Sequence, residues 1–587
     1  MLSPSQVIVL ATPVFLLLIA IEWLVSMRRR KHPYRLADAF SSMNLGLLSQ
    51  TSAVFTKLLA VGIYVAVFEH FALWRNDAFW TSVGGWMLAL LLYDFLYYWN
   101  HRLGHEVGVL WAAHVVHHQS QHYNLSTALR QPGSYALLSW TFYLPMALIG
   151  VPPLVFVVVG LIDLLYQFWV HTEQIRRLGW FDRWFCAPSN HRVHHAVNDV
   201  YLDRNYGGIL LVWDRLFGTY QAEDDREPCV YGTRGLLRSW DPLWANVSIY
   251  SQLAHDSWHA RRFSDKLRVW IKPPGWRPAD VAERFPKPAF ELEAHRALFN
   301  PPLTPGMAVF AWLQFGALIA GAALFLWNAD TAPLAHNLIW FAAMTVGQWT
   351  LGAALQGRIG VWFALMLDCG AMAAATGALG FQELHMVFKP VAMVFAIVHV
   401  LSLGQAQQAG NRWLLAALAA SLAGDIFLMM PNPNLFLPGL VSFLVAHVAY
   451  IAAFKQRAIP WFEHRTALVV ILAVGAAMYA FLFTQGLPAD MRIPVAVYVT
   501  VIALMAAQAW GRARTLGRGN GNAVQVAIGA SVFMLSDSII AVDRFVAPLP
   551  HALFWVLLTY YAAQALIVHG LVNGACTQKS SEKTPKT

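Results

Sequence analysis

The sequence predicts an all-α, polytopic integral membrane protein, and three observations carry that prediction. Hydrophobic residues make up 57% of the 587 positions and charged residues only 12%, whereas soluble domains carry about 25% charged side chains. The mean hydropathy is +0.47. Apolar runs of about twenty residues, enough for a helix to cross the hydrocarbon core, recur along the whole chain.

Composition also excludes several classes. The four cysteines, Cys186, Cys229, Cys369 and Cys576, are scattered without CxxC spacing, so neither a disulfide framework nor a thiolate metal site is expected. The net charge of +9 suits basic loops on anionic lipid. Nucleic acid is not expected as a partner, because the basic residues flank apolar spans rather than forming a stripe with stacking aromatics.

In chain order, the first apolar run extends from Val7 to Val25 and is followed by Arg28, Arg29, Arg30 and Lys31. A cleavable signal would carry its positive charges before the run. Charges after it place that end of the span in the cytoplasm. Further runs cover 45–68 and 83–99. Two more, 135–150 and 152–170, are separated at Val151, Pro152 and Pro153 and form either a re-entrant hairpin or two full spans. Both alternatives return the chain to the cytoplasmic side near His171. From His171 to Asn300 the sequence is polar, and each charge there would cost about 2.5–3.5 kcal/mol at the membrane centre. Trp258, Arg261, Arg262, Phe263, Lys266, Leu267, Val269, Trp270 and Lys272 mix cations with large apolar groups. That pattern fits a helix lying on the membrane surface or an amphipathic helix packed on the domain. After Pro301 and Pro302, residues 307–572 are almost wholly apolar and divide into roughly eight spans. The expected domains are therefore 1–300 and 301–575, with a polar, disordered tail over 576–587. The alanine- and tryptophan-rich spans suit a bacterial inner membrane.

The chemistry is carried by histidine. Ten of the 22 histidines lie between residues 101 and 195. His101 and His105 form HRLGH; His114, His117 and His118 form HVVHH; His191, His194 and His195 form HRVHH. Residues at i, i+3 and i+4 share a helix face, so each group is expected to aim at one centre. His171, at the end of an apolar run, is a ninth candidate, whereas His122 reads as an ordinary polar group. Eight or nine imidazoles exceed what one tetrahedral zinc takes, so two ions are the economical reading. Imidazole ligands beside a membrane favour iron and dioxygen chemistry, and HExxH, with its glutamate base, is absent. A metal store or sensor is the non-enzymatic alternative. Asp94, two helical turns before His101, is expected to orient a ligand imidazole.

HRLGH, HVVHH and HRVHH, with YYWNHR before and NYGGILLVWDRLFGTY after, resemble the fatty acid hydroxylase/sterol desaturase superfamily. HHQSQHYNLSTALRQ, the DRNYGG run, NVSIYSQLAH and KPPGW are similar to the alkylglycerol monooxygenases within it. The resemblance covers residues 5–280. It implies two irons held by the nine histidines, a role for Glu106, and oxidative cleavage of an alkylglycerol ether with dioxygen and a reduced pterin such as tetrahydrobiopterin as electron donor. Sterols or fatty acyl chains are the alternative substrates.

In the second half, FKP, SLAGDIFLM, FLVAHVAYIAAF, FMLSDS and YYAAQ resemble the YhhN family, which includes lysoplasmalogenases. Asp425 and Asp537 are acids within apolar spans, where a carboxylate is expensive and usually functional. Lys389, His447, Tyr450, Tyr561 and Gln564 lie at similar depth. Two such acids suit proton transfer to a vinyl ether and activation of water. The other reading is a passive or lipid-carrying membrane module.

Overall fold

The computed structural model describes residues 3–30, 33–403, 409–455, 459–517 and 519–582. Among these the chain is helical, with two isolated β-bridges, Phe185 with Leu210 and Ala196 with Tyr231. Among the described residues eleven helices are long and apolar enough to cross a membrane, and the chain is an integral, multi-pass membrane protein. One unit comprises residues 1–332 together with Leu351–Arg358, and the other Pro333–Thr350 with 359–587.

In the first unit, α1 (Pro4–Arg28) is followed by α2 (Leu36–Phe71), bent by 40° between Thr56 and Val61. The helix α3 (Val83–Glu106) carries the third apolar run onward, bringing His101 and His105 to its last turns. The short α4 (Gly108–His114) continues into a 3-10 turn, Val115–His118. Residues 135–170 form two short apolar helices, Ala136–Ile149 and α5 (Pro153–Trp169). Their turn requires Gly150, whose φ is +105° and where a Cβ would lie 2.0 Å from the Trp74 carbonyl oxygen. The polar region supplies α6 (Pro188–His194), α7 (Pro242–His259) and α8 (Phe263–Ile271). On α8, Phe263, Leu267 and Ile271 are 74%, 56% and 64% exposed. They form one apolar stripe at i, i+4, i+8, the arrangement of a membrane-surface helix.

Three expectations need correction. The first unit does not end near Asn300, because α9 (Pro305–Asn328) packs into it: Phe315 stacks on Phe40 at 4.5 Å and Trp312 meets the same ring edge-on at 4.8 Å. From Pro305 onward the described residues contain ten candidate spans rather than eight. Neighbouring helices there are joined by apolar turns such as Leu379, Gly380 and Phe381, so hydropathy does not fall between them. The last helix runs to Glu582, which makes 576–582 helical. Lys31 and 583–587 lie outside the described residues.

The second unit contains α10 (Leu334–Leu355, whose last turn belongs to the first unit), α11 (Val361–Ala378), α12 (Gln382–Ser402), α13 (Ala409–Met429), α14 (Phe436–Phe454), α15 (Arg465–Thr484), α16 (Arg492–Thr515), α17 (Gly521–Phe545) and α18 (Ala552–Glu582).

An acid inside α1 ties that helix to the polar region. Glu22 is buried and accepts from Tyr34, Thr172 and the Leu125 N–H. Glu22→Ala strands three donors, and at about 1–3 kcal/mol for each the midpoint of thermal unfolding in detergent should drop by several degrees.

Candidate functional site

The nine predicted histidines converge on two adjoining clusters. His101, His105, His114, His118 and His194 form one, and His117, His171, His191 and His195 the other; within each, all potential ligand atoms lie within 4.8 Å of one another. One ion with metal–nitrogen bonds of about 2.1 Å nearly fills that span. All nine side chains are buried. The boxes do not each serve a single centre, as expected. HVVHH sends His114 and His118 to the first cluster and His117 to the second, while HRVHH sends His194 to the first and His191 and His195 to the second. Successive residues on a helix point about 100° apart, so a box ending in two adjacent histidines reaches both sides. His122 belongs to neither cluster.

Hydrogen bonding fixes which ring nitrogen is free. The Nδ1 atoms of His101, His117, His171 and His194 meet the carbonyl oxygens of Tyr206, Arg130, Gln167 and Arg204 at 2.8, 3.0, 2.8 and 3.0 Å. A carbonyl only accepts, so Nδ1 carries the proton, and in a neutral imidazole Nε2 is then a lone pair. His117 Nε2 and His171 Nε2 nevertheless face each other at 3.1 Å. Two lone pairs at that distance repel, and a cation between them resolves the contact. The Nε2 atoms of His101, His105 and His194 are buried without a hydrogen-bond partner. This donor set fits a pair of transition-metal ions.

Burial and neighbouring imidazoles hold His114, His118, His171, His191, His194 and His195 well below the ordinary histidine range. Burial lowers His117 to about 4. These residues are therefore in the neutral, ligating form at neutral pH.

One loop orients three imidazoles of the first cluster. Arg204 and Tyr206 offer the carbonyls to His194 and His101, and Asp203 Oδ1 lies 3.4 Å from His105 Nδ1. The loop needs left-handed backbone at Asp203 and Asn205 (φ +57° and +56°). Asn205 offsets the strain by donating to the carbonyls of Asn190 and Gln221. Asp214 fastens the loop, accepting from the backbone N–H groups of Tyr206 and Gly207 at 2.8 Å each and from the Thr219 hydroxyl. Sequence reasoning missed Asp214, although it lies in the quoted WDRLFGTY segment.

Asp94 does not orient an imidazole. It accepts from the Ile209 N–H and the Trp213 indole, both at 2.8 Å, because two turns along α3 set its carboxylate about 10 Å from the level of His101. Its influence passes through the same loop. Glu106 stands outside both clusters, paired with Arg102 at 2.9 Å. Arg130, buried beside the second cluster, also went unnoticed; its guanidinium donates to the Val116 carbonyl at 2.8 Å and so braces HVVHH.

The second unit holds a separate set of polar groups, all buried except the half-buried Asp537. Lys389 Nζ lies 3.5 Å from Asp425 Oδ1, and the Tyr560 hydroxyl donates to Asp425 Oδ2 at 2.7 Å. Tyr498 donates to Asp537 Oδ2 at 2.6 Å, with His447 Nε2 at 2.9 Å from the Tyr498 oxygen and 3.4 Å from Asp537. Phe533 joins the two sets, its ring 4.8 Å from His447 and 5.4 Å from Tyr560. Tyr450 donates to Gln564, which donates to Ser421. Tyr561, expected at the site, turns its hydroxyl to the Lys389 carbonyl. Its neighbour Tyr560, about 100° away on the helix, is the one that reaches the acid.

Two family models match the chain: fatty acid hydroxylase over residues 86–219 and the YhhN family over 384–571. The alkylglycerol monooxygenase of Homo sapiens is 36% identical over 53% of this chain and 69% of its own length. Lysoplasmalogenase TMEM86B of Homo sapiens is 38% identical over 26% of this chain and 61% of its own length. Lysoplasmalogenase TMEM86A of Bos taurus is 31% identical over 30% and 70%. No solved structure matches the chain.

Two measurements test this geometry. Asp214→Asn turns a donor toward the Gly207 N–H, loosening the loop that holds the first cluster. Metal analysis after dialysis against a chelator should then fall from about two ions per chain to about one, since such outer partners govern metal affinity by roughly 10–100-fold. Equal loss of both ions would show that the loop does not serve one cluster. The second measurement is pH dependence. Because the unfolded chain binds protons first, with histidine at 6.5 against about 4 for His117, the metal-free protein keeps this stability above 6.5 and loses it as pH falls toward 4. Its unfolding temperature should be lower at about pH 5 than at about pH 7.5.

Proposed function

The chain belongs to the alkylglycerol monooxygenase family in its first half and to the YhhN family of lysoplasmalogenases in its second, and from that membership we propose a bifunctional membrane enzyme that cleaves glycerol ether lipids. The facing lone pairs of His117 and His171 carry the first activity. Their cluster and that of His101 would hold two irons, which when bound supply the activation of dioxygen with electrons from a reduced pterin or another donor. The protein's own share is to gather nine buried imidazoles, fix the tautomers of His101, His117, His171 and His194 through backbone carbonyls and shield the reaction from water. One oxygen atom enters the ether carbon of an alkylglycerol and the other leaves as water, with two electrons and two protons consumed. The resulting hemiacetal collapses to a fatty aldehyde and the freed glycerol hydroxyl.

The second activity rests on Asp425 and Asp537. A vinyl ether is protonated at the carbon remote from oxygen, leaving an oxocarbenium ion that water attacks. One carboxyl group gives that proton and the other takes the proton of the water, as in other two-carboxylate hydrolases. A fatty aldehyde and the chain-free glycerophospho head group, with its hydroxyl freed, are the products. We place the histidine site on the cytoplasmic side of a bacterial inner membrane, supported by Arg28–Arg30 at the end of α1 and by the 2.8 Å hydrogen bond from Arg29 to the Gln174 carbonyl, close after His171.

The test is aldehyde release from detergent-solubilised protein. With an alkylglycerol, dioxygen and reduced pterin, aldehyde should appear and be lost, by roughly a thousandfold or more, in His117→Ala. With a lysoplasmalogen and no pterin, aldehyde should appear and be lost in Asp425→Asn and Asp537→Asn. Metal-loaded protein inactive on alkylglycerol but active on a sterol or acyl lipid would replace the first assignment. Turnover indifferent to both aspartates would make the second half a non-catalytic module.

A further inference from the structure

The second unit contains a cavity of about 390 Å³ between α14, α15, α16 and α17, with Leu428 of α13 at its margin. That volume is in the range of small-molecule sites. Its walls are almost entirely apolar. Tyr498 and Asp537 are the lining residues whose polar groups face the catalytic set, since the hydroxyl of Ser538 donates to the Met534 carbonyl of its own helix. The polar end is therefore at Asp537. From there the cavity follows α17 past Ala541 to Phe545, eight residues and about 12 Å along the axis. Leu482, Val495 and Phe545 close the far end, as part of a cluster with Leu487 and Val546. Along the side, Val474 and Phe481 are 57% and 43% exposed on the outer face of α15, so the cavity opens toward the lipid phase.

We propose that this cavity receives the hydrocarbon chain of the vinyl-ether lipid, entering laterally from the bilayer, and that Ala541 and Phe545 set the chain length accepted. The proposal rests on the hydrolytic reading of Asp537 and adds the substrate's orientation to it. An apolar slot with one acidic end matches an amphiphile whose reactive group sits at the head of an aliphatic chain. With the chain in the slot, the double bond, which is continuous with that chain, comes to lie beside Asp537, and the glycerol end stays on the polar side. The fit excludes the reverse orientation, in which a glycerophosphate would enter a region whose described lining is apolar apart from the Ser538 hydroxyl, already donated to the Met534 carbonyl. Among the side chains at the site, Asp537 then touches the alkenyl carbon, and Asp425, held by Lys389 and Tyr560, stands across Phe533 from it.

The experiment compares Ala541→Phe, which fills the slot below Asp537, with Phe545→Ala, which deepens it. Both are assayed on lysoplasmalogens of graded chain length, and the ratio of kcat/KM for long over short chains is the readout. Ala541→Phe should lower that ratio by roughly tenfold and Phe545→Ala should raise it. An unchanged ratio in both variants, with hydrolysis by the parent protein intact, overturns the cavity as the chain site while leaving the catalytic reading in place. A parallel measurement does not depend on turnover: a saturated ether lysophospholipid bearing a diazirine at its chain end is photolysed on the full-length protein and the labelled peptides are mapped. Labelling within Arg465–Thr484 and Gly521–Phe545 that declines in Ala541→Phe supports the proposal even if no hydrolysis occurs. Labelling confined to other helices overturns it.

Discussion

The contact on which the first unit depends is the one between His117 and His171, two Nε2 lone pairs held 3.1 Å apart inside the protein. No hydrogen atom is available to make it favourable, because backbone carbonyls already fix the proton of each ring on Nδ1. The contact makes sense only around a cation, and the surrounding structure is what it takes to hold several such rings in place. The interior of a helix cannot supply free carbonyls, since its C=O groups are used internally, and only the last turn of α5 offers one, at Gln167. The irregular segments around Arg130 and between Arg204 and Tyr206 can. The polar region that interrupts the membrane helices supplies the Arg204 and Tyr206 carbonyls, while α3 and α5 bring histidines at or just beyond their ends.

The two clusters are supported differently. His117 and His171 each take a carbonyl from a different segment, Arg130 and Gln167. His101, His105 and His194 depend on a single loop fastened by two buried acids, Asp214 from its near side and Asp94 through Ile209 and Trp213. Geometry of that kind concentrates the precision of one metal position in a few hydrogen bonds to Asp214 and Asp94, several residues away from any ligand.

Much of this was legible in the sequence. Nine imidazoles in closely spaced groups point to shared centres, and all nine lie in the two clusters. Hydropathy announces the membrane class because each span must satisfy its own backbone. What could not be read was partition and support. HVVHH states which residues share a helix face but not that a 3-10 turn at Val115–His118 divides them between two centres. The role of Asp94 failed because sequence periodicity gives a face and not a height: two turns lie between it and His101. Tyr561 was preferred to Tyr560 for the same kind of reason, the rotation of a buried helix that is apolar on every side. The boundary near Asn300 was misplaced because prolines mark a break in the chain without saying with which core the next helix packs, and Phe40 and Phe315 decide that.

The two chemistries follow from what each ether offers. A saturated alkyl ether has no π electrons to accept a proton, and its carbon–oxygen bond yields only after a carbon–hydrogen bond has been oxidised, which requires a redox centre and neutral ligands kept from water. A vinyl ether is nucleophilic at carbon and yields to a proton, which requires an acid kept from water. The first unit buries imidazoles whose lone pairs suit a cation. The second sets one acid in its interior, Asp425, and one half-buried, Asp537, whose partners are Lys389, His447 and two tyrosine hydroxyls. Low dielectric strengthens both arrangements, since either charge is far more effective there than in bulk water. Each reaction proceeds through a hemiacetal to a fatty aldehyde, so the protein joins two distinct ways of reaching the same bond in lipids that differ by one double bond.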